Sequence, residues 1–368
     1  MHNWIKGNAA LGKNIYFILS NTLILSLILI LCVHIIESWR YSNRTIDFVS
    51  KMPSYVRSEY RNLTDNEVNE LLTATWNNPN GGFTYDEWVG FREATRQSKF
   101  VNVNEYGMRL NDQEPIQTNS INGAIWVFGG STTFGYGVAD SETIPAIIQK
   151  ITNQRVMNFG RGYFYSAQEN LLLERILQAG FKPKTAIFLD GINERCGISV
   201  YQPEMRALFD RVQKPYSWSL RELFGPIDFA IHNRIHRNAL DNNPDNKADI
   251  QRLTCSSFGM EQSLRTVHRK NLLERESLCS QHQIDCKTFV QPFAGVHGVH
   301  KDLDLLPQKE RDILLQRFNL LKDNWLEFGA VFVVDSLDRK RSHSYVDGVH
   351  YSYEASELIA RDIAKHLH

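Results

Sequence analysis

Short apolar runs alternate with longer amphipathic segments over the second two thirds of the chain. The short runs predict five β-strands, at residues 125–128, 156–159, 185–189, 288–290 and 331–334. Apolar residues that recur every three to four positions predict helices at 143–151, 166–179, 308–328 and 353–366. Strands that alternate with helices build parallel sheets, so the pattern predicts one α/β domain over residues 120–368.

One stretch near the N-terminus is almost entirely apolar. Residues 15–36 contain no Asp, Glu, Lys or Arg and consist mostly of Leu and Ile. A helix of this length is about 33 Å long, which is enough to span a hydrocarbon core of roughly 30 Å. The run is longer than the apolar region of a signal peptide, and no small-residue cleavage site follows it. We therefore predict an uncleaved transmembrane helix rather than a cleaved signal peptide.

The residues around this span do not fix its orientation. Lys6 and Lys13 precede it, and Arg40 and Arg44 follow it, so the positive-inside rule gives no preference. The four cysteines outside the span are an even number, which permits disulfides in an oxidising compartment. Four unpaired thiols in a cytosolic enzyme would give the same count.

Three further regions complete the expected organisation. Residues 1–14 form a short N-terminal tail. Residues 37–119 are polar, contain many aromatic side chains and carry no chemical motif, which predicts a stalk and packing elaboration with one helix at 65–75. Residues 195–285 interrupt the α/β alternation with helical and polar sequence, which predicts an insertion in the domain.

The charge balance excludes one class of partner. The 368 residues include 41 basic and 41 acidic side chains, and no long run of Lys or Arg occurs. Nucleic-acid-binding proteins need a basic patch or stripe, so no nucleic-acid partner is expected. The function must therefore be sought in individual side chains.

Polar residues that directly follow predicted strands are the first candidates, because ligands bind beyond the carboxyl ends of the strands in open α/β sheets. Ser131 follows the first strand, after Gly129 and Gly130. Paired glycines let the backbone turn tightly and leave a hydroxyl and nearby amides at the start of a helix, where they would act as nucleophile and oxyanion donors. The loop lacks the Lys of a phosphate-binding loop and the second Gly of a Gly-x-Ser-x-Gly elbow. By itself it is also typical of a plain turn.

Three later loops carry groups that complement a serine nucleophile. Gly160 and Gly162 follow the second strand and permit the close approach of a backbone amide. Asn193 follows the third strand, and its amide would donate a neutral hydrogen bond to an oxyanion. Asp347 and His350 lie between the fifth strand and the last helix; a neutral His accepts a serine proton when a carboxylate fixes its tautomer. Each loop alone is explained as well by a turn, but the ordered set predicts a serine hydrolase site.

With these four blocks, the chain resembles the SGNH hydrolases, a branch of the GDSL esterase/lipase superfamily, over residues 125–368. The resemblance implies a flavodoxin-like three-layer α/β/α sandwich with a mainly parallel central sheet, here preceded by one transmembrane helix. It implies Ser131 as nucleophile, with Asp347 and His350 as its partners. The implied oxyanion hole consists of the backbone amides of Ser131 and Gly162 and the side chain of Asn193. No metal or cofactor is expected.

The chain departs from the family pattern at two blocks. Gly130 stands where the Gly-Asp-Ser-Leu signature has Asp, and Thr132 stands where it has Leu. In the second block, the family glycine whose amide donates aligns with Gly162 or, in the alternative frame, with Tyr163. We predict Gly162, although a backbone amide would serve from either residue.

The resemblance also implies a reaction, the hydrolysis of small acyl esters through an acyl-enzyme. We expect the substrate to be O-acetyl groups of a surface or secreted glycan, and the domain to lie outside the cytoplasm. Two alternatives stay open, which are O-acyl transfer by the same serine and a catalytically idle glycan-binding or assembly protein. Arg161 and Glu194 flank the oxyanion loops and are candidates for substrate contact.

Overall fold

The computed structural model of the chain describes residues 16–33, 35–36, 47–76, 82–111, 120–195, 254–257, 260–298, 305–339 and 343–367. The chain divides into two units, Met1–Arg44 with Tyr216–Asn243, and Thr45–Pro215 with Pro244–His368. The described part of the first unit is one helix, and the second unit contains the sheet and the candidate site. The predicted tail at 1–14 and residues 196–253 of the predicted insertion lie outside the described residues.

The bounds of the elements are as follows. The α-helices are α1 (Tyr16–Val33), α2 (Ser54–Arg57), α3 (Asp65–Trp76), α4 (Ser131–Phe134), α5 (Ile144–Thr152), α6 (Ser166–Gln178), α7 (Leu264–Gln281), α8 (Gln308–Glu327) and α9 (Tyr353–Ala364). The strands are β1 (Phe83–Asp86), β2 (Gly90–Glu93), β3 (Ile125–Gly129), β4 (Val156–Asn158), β5 (Thr185–Asp190), β6 (Thr254–Ser257), β7 (Met260–Ser263), β8 (Asp285–Val290) and β9 (Val331–Phe332). Short 3-10 helices lie at Val49–Lys51, Ser58–Tyr60, Asp140–Glu142 and Val334–Arg339.

Helix α1 is long and apolar enough to cross a membrane, and none of it is buried within the structure. Length and composition fit both a transmembrane span and a signal sequence. Among the helices that the structure describes, no other meets the same criterion.

Five parallel strands form the central sheet, in the spatial order β4-β3-β5-β8-β9. Each neighbouring pair is parallel. Counted along the chain, this order is 2-1-3-4-5, which is the order of flavodoxin-like doubly wound sheets. The predicted fold class, an α/β/α sandwich around a mainly parallel sheet, is confirmed.

Successive side chains of β3 pack on opposite faces of the sheet, as the pleat requires. Trp126 and Phe128 belong to the core cluster that α6 and α7 cover, whereas Ile125 and Val127 belong to the cluster that α5 and α9 cover. Both β3 and β5 are buried along their whole length. Burial on both faces explains why the two strands occur in the sequence as uninterrupted apolar runs.

The predicted strands and helices of the α/β domain are all present, most of them within two residues of their predicted ends. Strand β8 differs by three residues, and β9 is half its predicted length. Strand β8 begins at Asp285, three residues before its predicted start, because its partly exposed first half still pairs with β5. Strand β9 ends at Phe332, because the chain enters a 3-10 helix at Val334.

Helix α7 lies inside the predicted insertion at 195–285, yet it is part of the sandwich. Its buried face carries His268, Asn271 and Arg275 beside Leu264 and Leu272. These positions follow helical spacing, but the polar side chains break the apolar pattern on which the sequence prediction depends. Helix α7 therefore belongs to the α/β layers, and the insertion itself stays a prediction.

Residues 47–76 and 82–111 pack against the candidate site. Val68 and Leu71 of α3 share a buried cluster with Phe134 and Tyr136, which follow the candidate nucleophile. A capping box fixes the start of α3, because the Glu67 carboxylate accepts hydrogen bonds from the Thr64 backbone N–H and hydroxyl, both at 2.9 Å. This segment thus brings its own side chains to the carboxyl edge of the sheet.

Candidate active site

Ser131 directly follows β3 and the Gly129-Gly130 turn, and it is the first residue of α4. Its side chain is buried, as is the rest of this one-turn helix. A Cβ atom at Gly130 would lie 2.3 Å from the Nδ2 atom of Asn193. An Asp at position 130 would therefore displace the Asn193 side chain, which occupies the space beside it.

Arg109 holds the other end of α4 in place. The fully buried guanidinium donates from Nη1 to the carbonyl oxygens of Phe134 and Gly135, at 3.2 and 2.5 Å, and from Nη2 to that of Val138 at 2.7 Å. Asp140 balances its charge at 2.8 Å. These bonds satisfy carbonyl groups that a short helix leaves without partners.

His350 lies between Ser131 and Asp347 in a continuous hydrogen-bond chain. Its Nε2 atom is 2.9 Å from the Ser131 Oγ atom, and its Nδ1 atom is 2.8 and 3.0 Å from the two Asp347 carboxylate oxygens. A carboxylate only accepts, so Nδ1 carries the proton and Nε2 is left to accept from the serine hydroxyl. The structure brings together the three residues predicted as the catalytic set; their roles stay predictions.

The turn that carries this pair also stabilises the ionised carboxylate. The Asp347 Oδ1 atom accepts the backbone N–H groups of Val349 and His350, at 2.8 and 2.7 Å. Burial alone would raise the pKa of the carboxyl, but the charge interaction with His350 and these hydrogen bonds bring the pKa below its ordinary value. Asp347 is therefore a fixed negative charge at neutral pH.

Two aromatic rings enclose the imidazole of His350. The Tyr136 ring stacks on it with centroids 5.4 Å apart, and the Trp76 ring approaches edge-on at 4.9 Å. Tyr136 is buried, whereas 41% of Trp76 is exposed. Because the rings restrict the imidazole from two sides, its orientation depends on residues outside the four sequence blocks.

The loop after β4 corrects one predicted role. The Gly162 backbone N–H donates to the Glu93 Oε1 atom at 2.9 Å, so this amide is already bonded within the protein. The prediction of Gly162 as the oxyanion donor therefore does not agree with the structure. The alternative residue, Tyr163, has a φ of 64°. That left-handed backbone is typical of glycine, and it fits the alternative alignment with the family glycine.

Asn193 lies next to Ser131 through the close approach at Gly130. Its Nδ2 atom donates to the carbonyl oxygen of Phe164 at 3.0 Å. A side-chain amide has two N–H groups, so this bond orients Asn193 and uses one of them. The half-buried amide keeps a second donor for a bound group.

Arg161 and Glu194 have structural contacts instead of the expected substrate contacts. The buried Arg161 guanidinium pairs with Asp86 at 3.2 Å and donates to the Phe91 carbonyl oxygen. Glu194 is buried and accepts the backbone N–H and hydroxyl of Ser166 at 3.1 and 2.7 Å. Both residues thus fix the loops that flank the site.

Asp190, Glu194 and His268 place potential metal-ligand atoms close together in the core. Arg275 contacts both Asp190 carboxylate oxygens at 3.0 Å. Asn324 Nδ2 is 3.2 Å from His268 Nδ1 and donates to it, which leaves the proton on Nε2 and no lone pair there. The cluster is therefore explained as a buried ion-pair and hydrogen-bond network without a metal.

The sequence blocks identified the residues of the hydrogen-bond chain but missed the groups around it. Trp76, Glu93 and Arg109 come from the region interpreted as a stalk and packing elaboration. None of them has a motif or a fixed spacing to Ser131, so a single sequence gives no signal for them.

No family model and no curated protein matches the chain. Among solved structures, a carbohydrate acetylesterase family member from Sinorhizobium meliloti is 13% identical, covers 67% of this chain and 97% of its own, and has a TM-score of 0.37. An aryl esterase from M. smegmatis is 12% identical, with coverage of 67% and 98% and a TM-score of 0.37. A putative SGNH hydrolase from Slackia heliotrinireducens is 11% identical, with coverage of 67% and 100% and a TM-score of 0.36. At these values the function has to be argued from the chain itself.

Proposed function

We propose that this chain is a serine esterase of the SGNH type that works through an acyl-enzyme. The observation that carries the proposal is the hydrogen-bond chain from Ser131 Oγ through His350 to Asp347. A serine hydroxyl is a weak nucleophile until a base accepts its proton, and the base needs a third group that fixes its tautomer. Ser131, His350 and Asp347 form such a chain here, and the Asn193 side-chain amide beside it has a second N–H donor.

The proposed reaction has two halves. Ser131 Oγ attacks the acyl carbonyl while His350 Nε2 takes the hydroxyl proton, and the same proton then passes to the alkoxide that leaves. Water next attacks the acyl-serine, again with His350 as the base. The proton returns to Ser131 as the carboxylic acid departs. Asp347 stays ionised throughout and stabilises the imidazolium.

The negative charge on the carbonyl oxygen would be stabilised by the amides of Ser131 and Tyr163 and by the Asn193 side chain. Tyr163 replaces Gly162 in this role because the Gly162 amide is bonded to Glu93. An ester in place of the peptide bond at Tyr163, introduced with the matching α-hydroxy acid, removes this N–H and leaves every side chain unchanged. We expect turnover to fall about 10²- to 10³-fold. Unchanged turnover would exclude the Tyr163 amide.

The substrate that we propose is a small acyl group, such as acetyl, on a surface or secreted glycan. Trp76 supports this class, because its ring is partly exposed directly beside His350. An exposed aromatic face packs well against the C–H-bearing face of a sugar ring. Helix α1 would hold the protein at a membrane surface.

The proposed activity is tested by acetate release from an acetylated oligosaccharide. The wild-type protein should release acetate, and Ser131→Ala should abolish the release. Ser336→Ala is the matched control, since its hydroxyl bonds to Asp362 in another part of the domain. Acetylated sugar product in place of free acetate would assign the same serine to acyl transfer. Equal acetate release by wild type and Ser131→Ala would exclude the proposal.

We further propose that α1 is an uncleaved anchor and that the catalytic domain lies outside the cytoplasm. Cys279 and Cys286 form a disulfide that joins the end of α7 to β8. Structural disulfides persist in oxidising compartments and are rare in the cytosol. The bond therefore supports the orientation that the flanking charges left open.

A further inference from the structure

Glu93, the last residue of β2, is fully buried 38 positions before the candidate nucleophile. Its Oε1 atom accepts two hydrogen bonds, one from the Tyr136 hydroxyl at 2.8 Å and one from the Gly162 backbone N–H at 2.9 Å. The first donor belongs to the ring that stacks on His350. The second belongs to the loop that carries Tyr163.

Arg96 pairs with the other carboxylate oxygen of Glu93 at 2.6 Å. The same guanidinium donates to the carbonyl oxygens of Ala74 and Thr75, at 3.0 and 3.3 Å, in the last turn of α3. Trp76 is the next residue, and its ring is the second aromatic neighbour of His350. The ion pair between Glu93 and Arg96 is thus linked to both rings that confine the imidazole.

The packing leaves little room for these groups to shift. A Cβ atom at Gly162 would lie 2.7 Å from the Tyr136 hydroxyl oxygen and 2.8 Å from the Phe83 ring. Glu93 and Arg96 are almost completely excluded from solvent. Buried ion pairs often contribute little to stability because of their desolvation cost, so stability alone is a weak reason for this pair.

We propose that the Glu93–Arg96 ion pair positions His350 and the Gly160–Tyr163 loop for catalysis. The pair touches neither substrate nor reacting atoms. It acts through Tyr136 and Trp76 on the base and through Gly162 on the loop with the proposed oxyanion donor. The inference rests on the proposed esterase function, and it gives Glu93 and Arg96 a positioning role in catalysis.

Glu93→Gln is the most informative substitution. It keeps the size of the side chain, but its amide group must face either Arg96 or the two donors at Oε1. In both orientations a donor meets a donor. We expect kcat per active site to fall about 10- to 100-fold, because small displacements of reacting groups have effects of this size. KM should change little, since the pair does not touch substrate.

Active sites are counted by titration with a fluorophosphonate, so misfolded protein does not enter the value of kcat. Leu321→Ala is the matched control; it truncates a fully buried side chain of α8, in a different core cluster, and should lower the melting temperature without changing kcat per titrated site. Tyr136→Phe keeps the ring and the ion pair but removes one of the two bonds to Glu93 Oε1. It should lower kcat about fivefold, and it carries the test if Glu93→Gln does not fold.

The outcomes separate the two proposals. Active wild-type protein with Glu93→Gln and Tyr136→Phe both within about twofold of its kcat per titrated site would overturn the positioning role. A fall in melting temperature alone would also overturn it, because it assigns the pair to stability. A wild-type protein that neither reacts with the fluorophosphonate nor hydrolyses esters would instead overturn the esterase function, and the inference with it.

Discussion

Asp347 and His350 are separated by only two residues, and the turn between them supplies two of the hydrogen bonds that Asp347 accepts. One short segment therefore holds both the base and the group that orients it. A carboxylate at Nδ1 leaves Nε2 unprotonated, which the proposed mechanism requires. An amide at this position would remove the preference for that tautomer.

Asp347→Asn should accordingly lower kcat about 10⁴-fold, with little change in KM. Without the carboxylate, His350 can carry its proton on Nε2, and in that tautomer Nε2 cannot accept the serine proton. Steady-state kinetics on a small acetyl ester measures both constants. In a His350→Ala background, the same substitution should cost almost nothing, since residues that act as a unit are not additive. A similar loss in both backgrounds would contradict the role of Asp347.

Gly130 gives a second prediction at the scale of a single residue. Gly130→Asp would restore the family signature, yet the added Cβ would lie 2.3 Å from Asn193 Nδ2. Asn193 must then move away from Ser131, so we expect kcat to fall about 10²-fold or more. Thr132→Leu, the other change toward the family signature, is the comparison variant. It shows whether a substitution in this loop lowers kcat by itself. Wild-type kcat in Gly130→Asp would show that Asn193 is not held where the structure has it.

The sequence alone could propose Ser131, Asn193, Asp347 and His350, because Ser131 and Asn193 closely follow strands, Asp347 and His350 lie between the last strand and the last helix, and their chemical roles fit together. It could not decide between Gly162 and Tyr163, since both adjacent amides satisfy the same pattern. The bond from Gly162 to Glu93, 69 positions away, argues against Gly162. Such long-range partners have no regular spacing that a single sequence reveals.

At the scale of elements, the apolar strands were predictable and α7 was not. β3 and β5 are buried on both faces, so their sequences are continuous apolar runs. The buried face of α7 is largely polar, because His268 and Arg275 meet Glu194 and Asp190 from β5 and the loop after it. Only the tertiary structure shows that these polar groups lie next to one another.

This buried network makes stability depend on pH. Burial and the nearby Asp190 charge raise the pKa of Glu194 from 4.5 to about 7. The contribution of Glu194 to the free energy of unfolding is therefore complete below pH 4.5 and is lost as the pH rises to about 7. Burial lowers the pKa of His268 from 6.5 to about 4, so its contribution grows with pH over that interval. The two effects oppose each other between pH 4.5 and 6.5.

Glu194→Gln removes the first effect and keeps the second. Relative to wild type, the variant should therefore gain thermal stability as the pH rises from 4.5 to 7, as followed by the melting temperature. Glu327→Gln is the control. The exposed Glu327 carboxylate lies beside Arg269, which lowers its pKa, so its contribution to stability is present at higher pH and is lost as the pH falls. A difference between Glu194→Gln and wild type that does not grow with pH would contradict the raised pKa.

At the scale of the whole molecule, the proposal combines a membrane helix, a disulfide and an esterase domain in one oxidising compartment. In intact cells that express the full chain, a fluorophosphonate that does not cross membranes should label the protein. Cys279 and Cys286 should react with a maleimide only after reduction, because they are paired. Labelling that requires cell lysis, together with free thiols, would place the domain in the cytosol.

The central claim, that Ser131 is a nucleophile activated by His350, is tested most directly by mass spectrometry of the protein after reaction with a fluorophosphonate. We predict one adduct, located at Ser131, which is absent in Ser131→Ala and forms much more slowly in His350→Ala. The claim is wrong if wild-type protein carries no adduct, or if Ser131→Ala carries the same adduct as wild type.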